Sequence, residues 1–456
     1  MYKDFRGFLN CLEENGLLVR VNKEVATEHE IAAGLRKICD TEGPALLFEN
    51  VKGFPNWRVA GGVFATRKHI ALALGLPIDA DSMTITRRYL EFDRIGIKPK
   101  MVATGPCKEI IIKGDDIDLT KLPVPIYSIL DSGRFISAGV EITKLAATGG
   151  KNVSIHRRKI LSKNTTGLLV NIVQHLERII VAGEKDGKGQ GIATAVGADP
   201  EISIASQIKA SYGVNEIEIA GALRGEPIEM VKCETIDCEV PASAEIIIEG
   251  VTLPGERIND GPFGEWPGNY MTMTGSLNAS ARIVKITAIT MRKDAIFQAM
   301  ITGYPTTENH ALRQWAVATE VLHKLSDITE TIAINPAPDG AGAHVIVSIR
   351  KTSDIDPRNV IFTLLGARSL IRRVTVVDED IDVFNPMEVE WAVSTRMWGD
   401  RDIYVVPPVY KGSEWLTLRQ RAFTKWGLDA TMPVAPEERK WYQAISVPGV
   451  ENVDYV

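Results

Sequence analysis

The feature that most constrains the fold is a change of sequence pattern at two points along the chain. Residues 1 to about 110 alternate helical and strand-like patterns, as in a predicted helix over 28–40 followed by a strand over 45–51. From about 110 to 300, short β-rich runs are separated by Gly, Pro and Asp turns, which is typical of a barrel or sandwich with inserted helices. After about 300 the alternation returns. We therefore predict an α/β domain over 1–110, a mainly β domain over 111–300 and an α/β domain over 301–456.

Bulk properties exclude several classes of protein. A chain of 456 residues is longer than one hydrophobic core usually organises, which agrees with several domains. The formal net charge of −6 argues against a nucleic-acid-binding protein, and no run approaches the roughly 18 apolar residues of a membrane helix. The N-terminus resembles an amphipathic helix rather than a signal peptide. Five scattered cysteines lack zinc-site spacing and indicate reduced thiols, so we expect a cytoplasmic protein.

The middle region carries polar side chains where apolar ones are expected. If the segment from Asn152 to Arg157 is extended, Asn152, Ser154 and His156 share one face and Arg157 lies on the other with Val and Ile. Such an arginine is either a surface residue or a buried cation that requires an anion. Taken alone, the segment favours a surface basic cluster that continues into the next two residues, Arg158 and Lys159.

Two more residues extend this set. His175 lies on a predicted amphipathic helix, where a lone histidine is more often a core residue than a ligand. Glu216 lies in an alternating run, which predicts a solvated position for its carboxylate. Together with Asn152 they could supply oxygen, nitrogen and oxygen donors, a set that suits Mn²⁺ or Mg²⁺ better than a thiolate-preferring ion.

A turn rich in Gly and Pro carries two acids, Asp260 and Glu265, within the segment 260–268. Two carboxylates held by a rigid turn can have different roles. One can form an ion pair with an arginine, while the other transfers a proton. The alternative is a hairpin whose acids face water, and the turn by itself favours neither interpretation.

These segments occur together, and in the same order, in one family. The chain resembles the UbiD decarboxylases over nearly its whole length, most densely from Asn152 to Gly268. The shared phrases are Asn-x-Ser-Ile-x-Arg, the Gln174-His175 pair, Val-x-Glu ending at Glu216, Gly-Pro-Phe-Gly-Glu, and the segments 231–234 and 240–245. The resemblance implies a middle domain that is a split β-barrel binding prenylated FMN, and a C-terminal domain that mediates oligomerisation.

The resemblance also implies a cofactor site. Asn152, His175 and Glu216 would bind a divalent metal, Mn²⁺ by preference, that ties the cofactor phosphate to the protein. A K⁺ ion would lie against the backbone of Ala205 and Ser206 and share Glu216. The residues implied to contact the cofactor are Asn152, Ser154, Ile155, Arg157, Gln174, His175, Ser206, Ile208, Glu216 and, from the C-terminal domain, Lys425.

The implied reaction is a non-oxidative, reversible decarboxylation of an aromatic, heteroaromatic or α,β-unsaturated acid through a covalent adduct with prenylated FMN. The catalytic set would be Arg157, which orients the substrate carboxylate, with Asp260 and the proton donor Glu265. Asp260 departs from the best-known member of the family, in which a Glu stands at this position. Because Asp is shorter by one methylene, its ion pair with Arg157 requires the two backbones to lie closer together.

The substrate is indicated by the segment 306–313, which corresponds to the wall of the family pocket that faces the far end of the substrate. Asn309 and Arg313 are predicted one helical turn apart, with His310 between them. A pocket arginine is costly without an anion, which suggests a second substrate carboxylate and furan-2,5-dicarboxylate as the leading candidate. The alternative is that Arg313 pairs with a protein acid or lies on the helix surface.

Other functions stay open at this stage. The substrate could be pyrrole-2-carboxylate or a hydroxybenzoate. A split-barrel oxidoreductase with ordinary FMN is possible, although it gives no reason for the set of Arg157, Asp260 and Glu265. A metal-dependent assembly subunit would predict an incomplete catalytic set. A flavin prenyltransferase is the expected cofactor supplier, and a homo-oligomer, dimer or hexamer, is the expected assembly.

Overall fold

The chain forms two compact units, each described here by itself. A computed structural model describes residues 2–92, 96–145, 149–170, 174–185, 187–208, 210, 212–271, 280–337, 342–367, 371–410 and 422–448. The first unit comprises Met1–Glu320, Pro338–Gly342 and Tyr410–Ala422. The second comprises Val321–Ala337, Ala343–Val409 and Phe423–Val456.

Helices and strands alternate at both ends of the chain. The helices are α1 (Phe5–Glu14), α2 (Glu30–Thr41), α3 (Arg67–Ala73), α4 (Ser82–Phe92), α5 (His175–Glu184), α6 (Pro200–Ala205), α7 (Glu216–Arg224), α8 (Glu308–Leu325), α9 (Asp356–Ala367), α10 (Pro386–Arg396) and α11 (Pro436–Arg439). Of the helices in these ranges, none has the length and apolar character needed to cross a membrane.

The strands fall into three groups along the chain. The first group is β1 (Leu18–Val21), β2 (Ala45–Phe48), β3 (Arg58–Gly61) and β4 (Lys100–Met101). The second is β5 (Ile110–Lys113), β6 (Phe135–Ile136), β7 (Val140–Lys144), β8 (Lys151–Ile155), β9 (Arg158–Ile160), β10 (Thr165–Leu168), β11 (Gly191–Val196), β12 (Glu229–Lys232), β13 (Glu239–Pro241), β14 (Ile246–Asn259), β15 (Phe263–Gly264), β16 (Tyr270–Met271), β17 (Ser280–Met291) and β18 (Ile296–Ala299). The third is β19 (Glu330–Asn335), β20 (His344–Arg350), β21 (Arg373–Asp378), β22 (Ile403–Tyr410) and β23 (Ala422–Ala430).

The first unit contains a small mixed sheet and a large antiparallel one. The small sheet has the order β1-β2-β3-β18, so the strand that completes it lies more than two hundred residues after its neighbour β3. The large sheet has nine strands in the order β6-β9-β10-β17-β14-β11-β7-β8, with β5 paired to β17. Breaks in register between β14 and β17 mark bulges, which bend a sheet and increase its twist. Strand β8 of this sheet carries Asn152, Ser154 and Ile155, and Arg157 and Asp260 lie just after the ends of β8 and β14.

The second unit is an α/β layer with the strand order β19-β20-β21-β23-β22. Strands β20, β21 and β23 are parallel, and β19 is antiparallel to β20. The predicted architecture of α/β ends with a β-rich middle therefore fits, with the middle sheet curled as a half-barrel. The bounds of the three domains stay a prediction.

Local sequence explains where several helices begin. The Asp4 side chain accepts a hydrogen bond from the Gly7 N–H and so caps α1, whose buried face consists of the predicted Phe5, Phe8, Leu9 and Leu12. The prediction for Glu216 is wrong. The alternating run is not a solvated strand, because Asn215 caps a helix there and Glu216 is its first residue, only 4% exposed.

Candidate active site

The predicted metal-binding set lies on strand β8 and two helices that pack against it. Asn152 is on β8, Glu216 begins α7, and His175 begins α5. The Asn152 amide lies 3.4 Å from Glu216 Oε1, and the Val153 N–H donates to Glu216 Oε2 at 2.9 Å. The half-buried His175 ring contacts the Tyr212 ring edge-on at 5.3 Å between centroids. The structure therefore brings Asn152 and Glu216 together and places His175 at the start of an adjacent helix.

The environment of Glu216 suits a cation. Burial raises the pKa of Glu216 to about 7, although hydrogen bonds from the backbone and from Asn152 lower it. Within the described ranges, burial, backbone N–H groups and Asn152 act on this carboxylate and no Lys or Arg does, and no three His, Cys, Asp or Glu side chains cluster as a metal site. A divalent ion held by Asn152, His175 and Glu216 would supply the missing positive charge, so the residues present fit the implied metal.

The other residues predicted to contact the cofactor lie around this set. Ser154 and Ile155 end β8, Gln174 is exposed directly before α5, and Ser206 and Ile208 follow α6. The Ser206 hydroxyl donates to the Ser203 carbonyl at 2.6 Å. Their roles toward a cofactor stay predictions.

Arg157 joins the two acids of the predicted catalytic set. It lies between β8 and β9, and its Nε and Nη2 donate to Asp260 Oδ2 and Oδ1 at 3.2 and 3.1 Å. Its third nitrogen, Nη1, contacts Glu265 Oε1. The Asp260 side chain is fully buried, whereas the Glu265 side chain is 23% exposed. The shorter Asp260 thus still makes a two-point ion pair, which leaves only one edge of Arg157 for other anions.

Strands and tight turns place these three groups. Asp260 follows the last residue of β14, and Glu265 follows β15. The Glu265 N–H donates to the Asn269 carbonyl at 3.1 Å, and the Gly268 N–H donates back to the Glu265 carbonyl at 2.9 Å. Gly268 has φ +90°, and a Cβ there would lie 3.0 Å from Pro305, so the turn requires glycine on both grounds.

The idea of a surface basic cluster at Arg157–Lys159 is wrong. Arg158 is fully buried and donates to both oxygens of the equally buried Glu141 at 2.9 and 2.7 Å. Arg157 is only 8% exposed, and its guanidinium also lies 4.8 Å from the Phe263 ring centroid. Adjacent arginines therefore point into different ion pairs, one inside the sheet and one in the candidate site.

The predicted substrate residues lie on the first turns of α8. His310 is 4% exposed, and its Nδ1 accepts hydrogen bonds from the Thr307 N–H at 3.1 Å and lies 2.7 Å from the Thr307 hydroxyl. Burial lowers the pKa of His310 to about 4, which keeps the ring neutral near pH 7. The half-buried Arg313 guanidinium stacks on the Trp266 ring at 4.4 Å. Since Trp266 directly follows Glu265, its ring links the turn that carries Glu265 to α8.

Glu308 is an unpredicted buried acid at the first residue of α8. Its carboxylate is fully buried and accepts hydrogen bonds from the Gly62 and Phe64 N–H groups, both at 2.9 Å. Burial raises its pKa to about 7, despite those hydrogen bonds. It fastens the start of α8, and with it Asn309, His310 and Arg313, to the segment that follows β3.

We expect Glu308 to make stability depend on pH. Because its pKa rises from 4.5 in the unfolded chain to about 7 in the folded one, its stabilising contribution is largest below about pH 4.5 and is lost as pH rises to about 7. We compare the free energy of unfolding of the natural chain with that of Glu308→Gln at each pH. The difference between the two should fall by about 3 kcal/mol between about pH 4.5 and pH 7. Urea unfolding at a series of pH values measures it. The control is Glu28→Gln, because Glu28 is exposed. If the stability of Glu308→Gln changed with pH in parallel with that of the natural chain, the expectation would be contradicted.

Lys425 lies in the second unit, on β23. Its side chain is buried, its Nζ donates to the Leu365 carbonyl at 2.6 Å, and burial lowers its pKa. Its predicted contact with the cofactor stays a prediction.

Two groups of site residues escaped the sequence reasoning. Trp266 stacks with Arg313, and Asp131 with Ser132 is bonded to the backbone of the 260–265 segment. Asp131 and Ser132 each lie more than a hundred residues before their partners in the 260–265 segment. Trp266 lies about fifty residues before Arg313. No local pattern in a single sequence marks such pairs.

Comparison with known proteins identifies related chains over the whole length. Three family models match in succession: the 3-octaprenyl-4-hydroxybenzoate carboxy-lyase N-terminal domain at 9–89, its Rift-related domain at 100–305 and its C-terminal domain at 311–430. The UbiD-class enzyme HmfF from Pelotomaculum thermopropionicum, solved with FMN, is 34% identical with a TM-score of 0.91, and 99% of each chain is covered. An evolved dimeric form of HmfF, solved with prFMN, is 33% identical with a TM-score of 0.88, and 99% of each chain is covered.

A relative with another name extends the comparison. The phenolic acid decarboxylase of Bacillus subtilis (strain 168) is 32% identical over 472 residues, which cover 97% of this chain and 95% of that one. The predicted enzyme class is thereby confirmed, and dependence on prenylated FMN fits the flavin complexes of HmfF. Family models along most of the chain and full-length relatives above 30% identity together show that this chain belongs to the UbiD family of carboxy-lyases.

Proposed function

We propose that this chain is a prenylated-FMN-dependent decarboxylase of a diacid, with furan-2,5-dicarboxylate as the leading substrate and 2-furoate and carbon dioxide as products. The observation that carries the reaction is the two-point ion pair of Arg157 with Asp260, which leaves Nη1 facing Glu265. The observation that favours a diacid is the second guanidinium, Arg313, stacked on the residue that follows Glu265.

The first role of the protein is to orient the scissile carboxylate. Asp260 occupies the Nε and Nη2 edge of Arg157, so a substrate carboxylate would bind at the Nη1 edge and share it with Glu265. A charge-assisted hydrogen bond there would hold the carboxylate in place. Because Asp260 is fully buried, its pairing also keeps the guanidinium from rotating away.

The second role is proton transfer. A substrate carboxylate at Nη1 would lie beside Glu265, and two anions sharing one cation favour protonation of one of them. Glu265, the more exposed of the two acids, would carry that proton and donate it to the carbon that has lost carbon dioxide. The balance is one carboxylate and one proton consumed, with one C–H bond and one carbon dioxide formed.

The cofactor chemistry requires the group that the family implies. When bound, prenylated FMN supplies an electrophilic centre and an electron sink for the departing carboxylate. Asn152, His175 and Glu216 would hold Mn²⁺ against its phosphate, and K⁺ would lie at Ala205, Ser206 and Glu216. Support for this placement comes from the buried Glu216 carboxylate and the Asn152 amide beside it. Supply of the cofactor by a flavin prenyltransferase and assembly as a homo-oligomer belong to the same proposal.

Substrate recognition at the far end would use α8. Neutral His310 accepts the Thr307 N–H at Nδ1, so its proton is on Nε2, where it can donate to a carboxylate oxygen. Asn309 and Arg313 would supply an amide and a guanidinium. A second carboxylate on the substrate could bind these polar and cationic groups, whereas a monoacid could not, which is the physical basis for preferring a diacid.

The test of the proposal is decarboxylation of an acid panel by protein co-produced with a flavin prenyltransferase. The panel includes cinnamate, hydroxybenzoates, pyrrole-2-carboxylate, 2-furoate and furan-2,5-dicarboxylate, with products identified by mass. Activity on the furan diacid in clear preference to the monoacids supports the substrate. Turnover confined to acids without a second anionic group would agree with the family assignment and refute the proposal of a diacid substrate.

We expect Arg313→Leu to separate the diacid from other acids. The substitution should raise KM for the diacid about 10- to 100-fold, the cost of one or two hydrogen bonds to a charged group, and leave kcat nearly unchanged. The matched control is Arg88→Leu, since Arg88 also stacks on a ring, that of Phe92 at 4.1 Å, outside the proposed set. Unchanged affinity for the diacid in Arg313→Leu would refute the role of Arg313.

A further inference from the structure

The catalytic acids are held from outside by a separate turn of the chain. We name residues 260–265, from Asp260 to Glu265, the acid loop, and residues 128–132, from Ser128 to Ser132, the clamp turn. The two segments are far apart in sequence but bonded directly in the structure. The clamp turn precedes β6 and contributes no residue to the catalytic set proposed above.

Four hydrogen bonds define the clamp turn. Asp131 Oδ1 accepts from the Gly264 N–H at 2.8 Å, while its Oδ2 accepts from the Ser128 N–H at 2.8 Å. The Ser132 hydroxyl donates to the Asp260 carbonyl at 2.7 Å, and the Ser132 N–H donates to the Pro262 carbonyl at 2.9 Å. One carboxylate and one serine therefore hold the acid loop at its first residue, its middle and the residue before Glu265.

The bond from Asp131 has the greatest effect on Glu265. Gly264 is the residue immediately before Glu265, so the bond to its N–H fixes the Phe263–Gly264 peptide, one peptide unit before the one that leads into Glu265. A hydrogen bond to a charged acceptor is about twice as strong as a neutral one. Close packing adds to this, because a Cβ at Gly264 would lie 2.8 Å from the Ser128 hydroxyl. A larger residue at this position would therefore displace the Ser128 hydroxyl and loosen the fit between the clamp turn and the acid loop.

The clamp turn is also tied to the charges of the site. Lys159, two residues after Arg157, donates from Nζ to the Ser132 hydroxyl at 2.7 Å. Burial raises the pKa of Asp131, and nearby Arg157 lowers it. The Ser132 hydroxyl consequently lies between a lysine and the Asp260 carbonyl, while the Asp131 carboxylate lies within the field of the catalytic arginine.

We propose that Asp131 is a positioning residue for decarboxylation, which holds the Phe263–Gly264 peptide so that the following residue, Glu265, stays against Arg157, with Ser132 holding the Asp260 end of the same loop. Asp131 does not touch the reacting atoms in this arrangement and acts through the backbone of the acid loop. The proposal rests on the proposed role of Glu265 as proton donor, and it is independent of which acid is the substrate.

The first measurement separates kcat from KM. Asp131→Ala should lower kcat about 30- to 100-fold, the scale expected for misplacement of a catalytic group by about 1 Å, with KM changed less than about threefold. Asp131→Asn retains an amide oxygen that can accept the Gly264 N–H, so it should recover about tenfold of that loss. Ser132→Ala should show a smaller loss in kcat of the same kind.

A matched control is available in the same unit. Asp118 likewise accepts a backbone N–H, that of Thr120 at 3.0 Å, and it has no bond to the acid loop. Asp118→Ala therefore removes the same kind of local bond without affecting the acids, and it should leave kcat unchanged. Equal losses in Asp118→Ala and Asp131→Ala would overturn the proposal, as would a kcat for Asp131→Ala within threefold of the natural chain.

The second measurement does not need turnover. Backbone hydrogen exchange of the full-length chain should be at least tenfold faster for the peptide that contains 260–268 in Asp131→Ala, and unchanged there in Asp118→Ala. If Asp131→Ala fails to fold, the same comparison is made with Asp131→Asn and Ser132→Ala. Unchanged exchange in all three variants would refute the clamp. Faster exchange with Glu265→Gln still fully active would retain the clamp and refute the proton-donor role instead.

Discussion

Replacing Glu265 with Gln should lower kcat for decarboxylation about 10²- to 10⁴-fold, the usual contribution of a positioned general acid. Gln preserves the size of the side chain and can still contact Arg157, but it has no proton to give to the carbon. Binding of the substrate should change little, since Arg157 stays held by Asp260 through Nε and Nη2, and its Nη1 edge stays cationic. The measurement is the rate of product formation, together with deuterium incorporation into product or product analogue in D₂O.

The control for this substitution is Glu256→Gln. Glu256 is an exposed acid on the same long strand, β14, that leads to Asp260, and its loss should leave kcat within about twofold. If Glu265→Gln retained full hydrogen–deuterium exchange into product, another group would have to supply the proton.

The adjacent arginines predict opposite phenotypes. Arg157→Lys should reduce kcat/KM about 10²-fold or more, because a lysine is a point charge that cannot bind Asp260 at two points and also orient a carboxylate. Stability should change less than catalysis, since a positive charge beside the buried Asp260 is preserved. Arg158→Met should do the reverse, because it leaves the fully buried Glu141 without its cation, at a cost of about 3–5 kcal/mol in free energy of unfolding.

Two measurements on each variant distinguish these outcomes. Urea unfolding gives the free energy of unfolding, and initial rates on an accepted acid give kcat/KM at a temperature where the variant is folded. A large loss of stability in Arg157→Lys with normal kcat/KM would show that its ion pair with Asp260 is structural. A catalytic loss in fully folded Arg158→Met would place that arginine in the site as well.

Much of the fold could be predicted because the information is local. The four apolar residues of α1 recur at helical spacing, and the helix predicted over 28–40 and the strand predicted over 45–51 are found as α2 and β2. Glu216 is the instructive failure. Alternation indicated a solvated strand, but the capping side chain of Asn215 starts a helix whose first carboxylate turns inward.

The candidate site was predictable only in part. Residue types and a family resemblance selected Arg157, Asp260 and Glu265, which the structure brings into contact. The burial of Arg158 depends on Glu141, seventeen residues earlier and on a different strand. The contact between Asp131 and Gly264 spans 133 residues. Such pairs are set by how strands pair in three dimensions, which a single sequence does not record locally.

The strand order of the small sheet has a consequence for biosynthesis. Strand β3, at Arg58–Gly61, pairs with β2 on one side and with β18, at Ile296–Ala299, on the other. The ribosome must therefore make almost two thirds of the protein before the first sheet can close. Until then β3 presents an open edge, the kind of surface that pairs with other chains. Fragments that stop short of β18 should aggregate during expression, and chaperones are expected to bind the nascent chain in that interval.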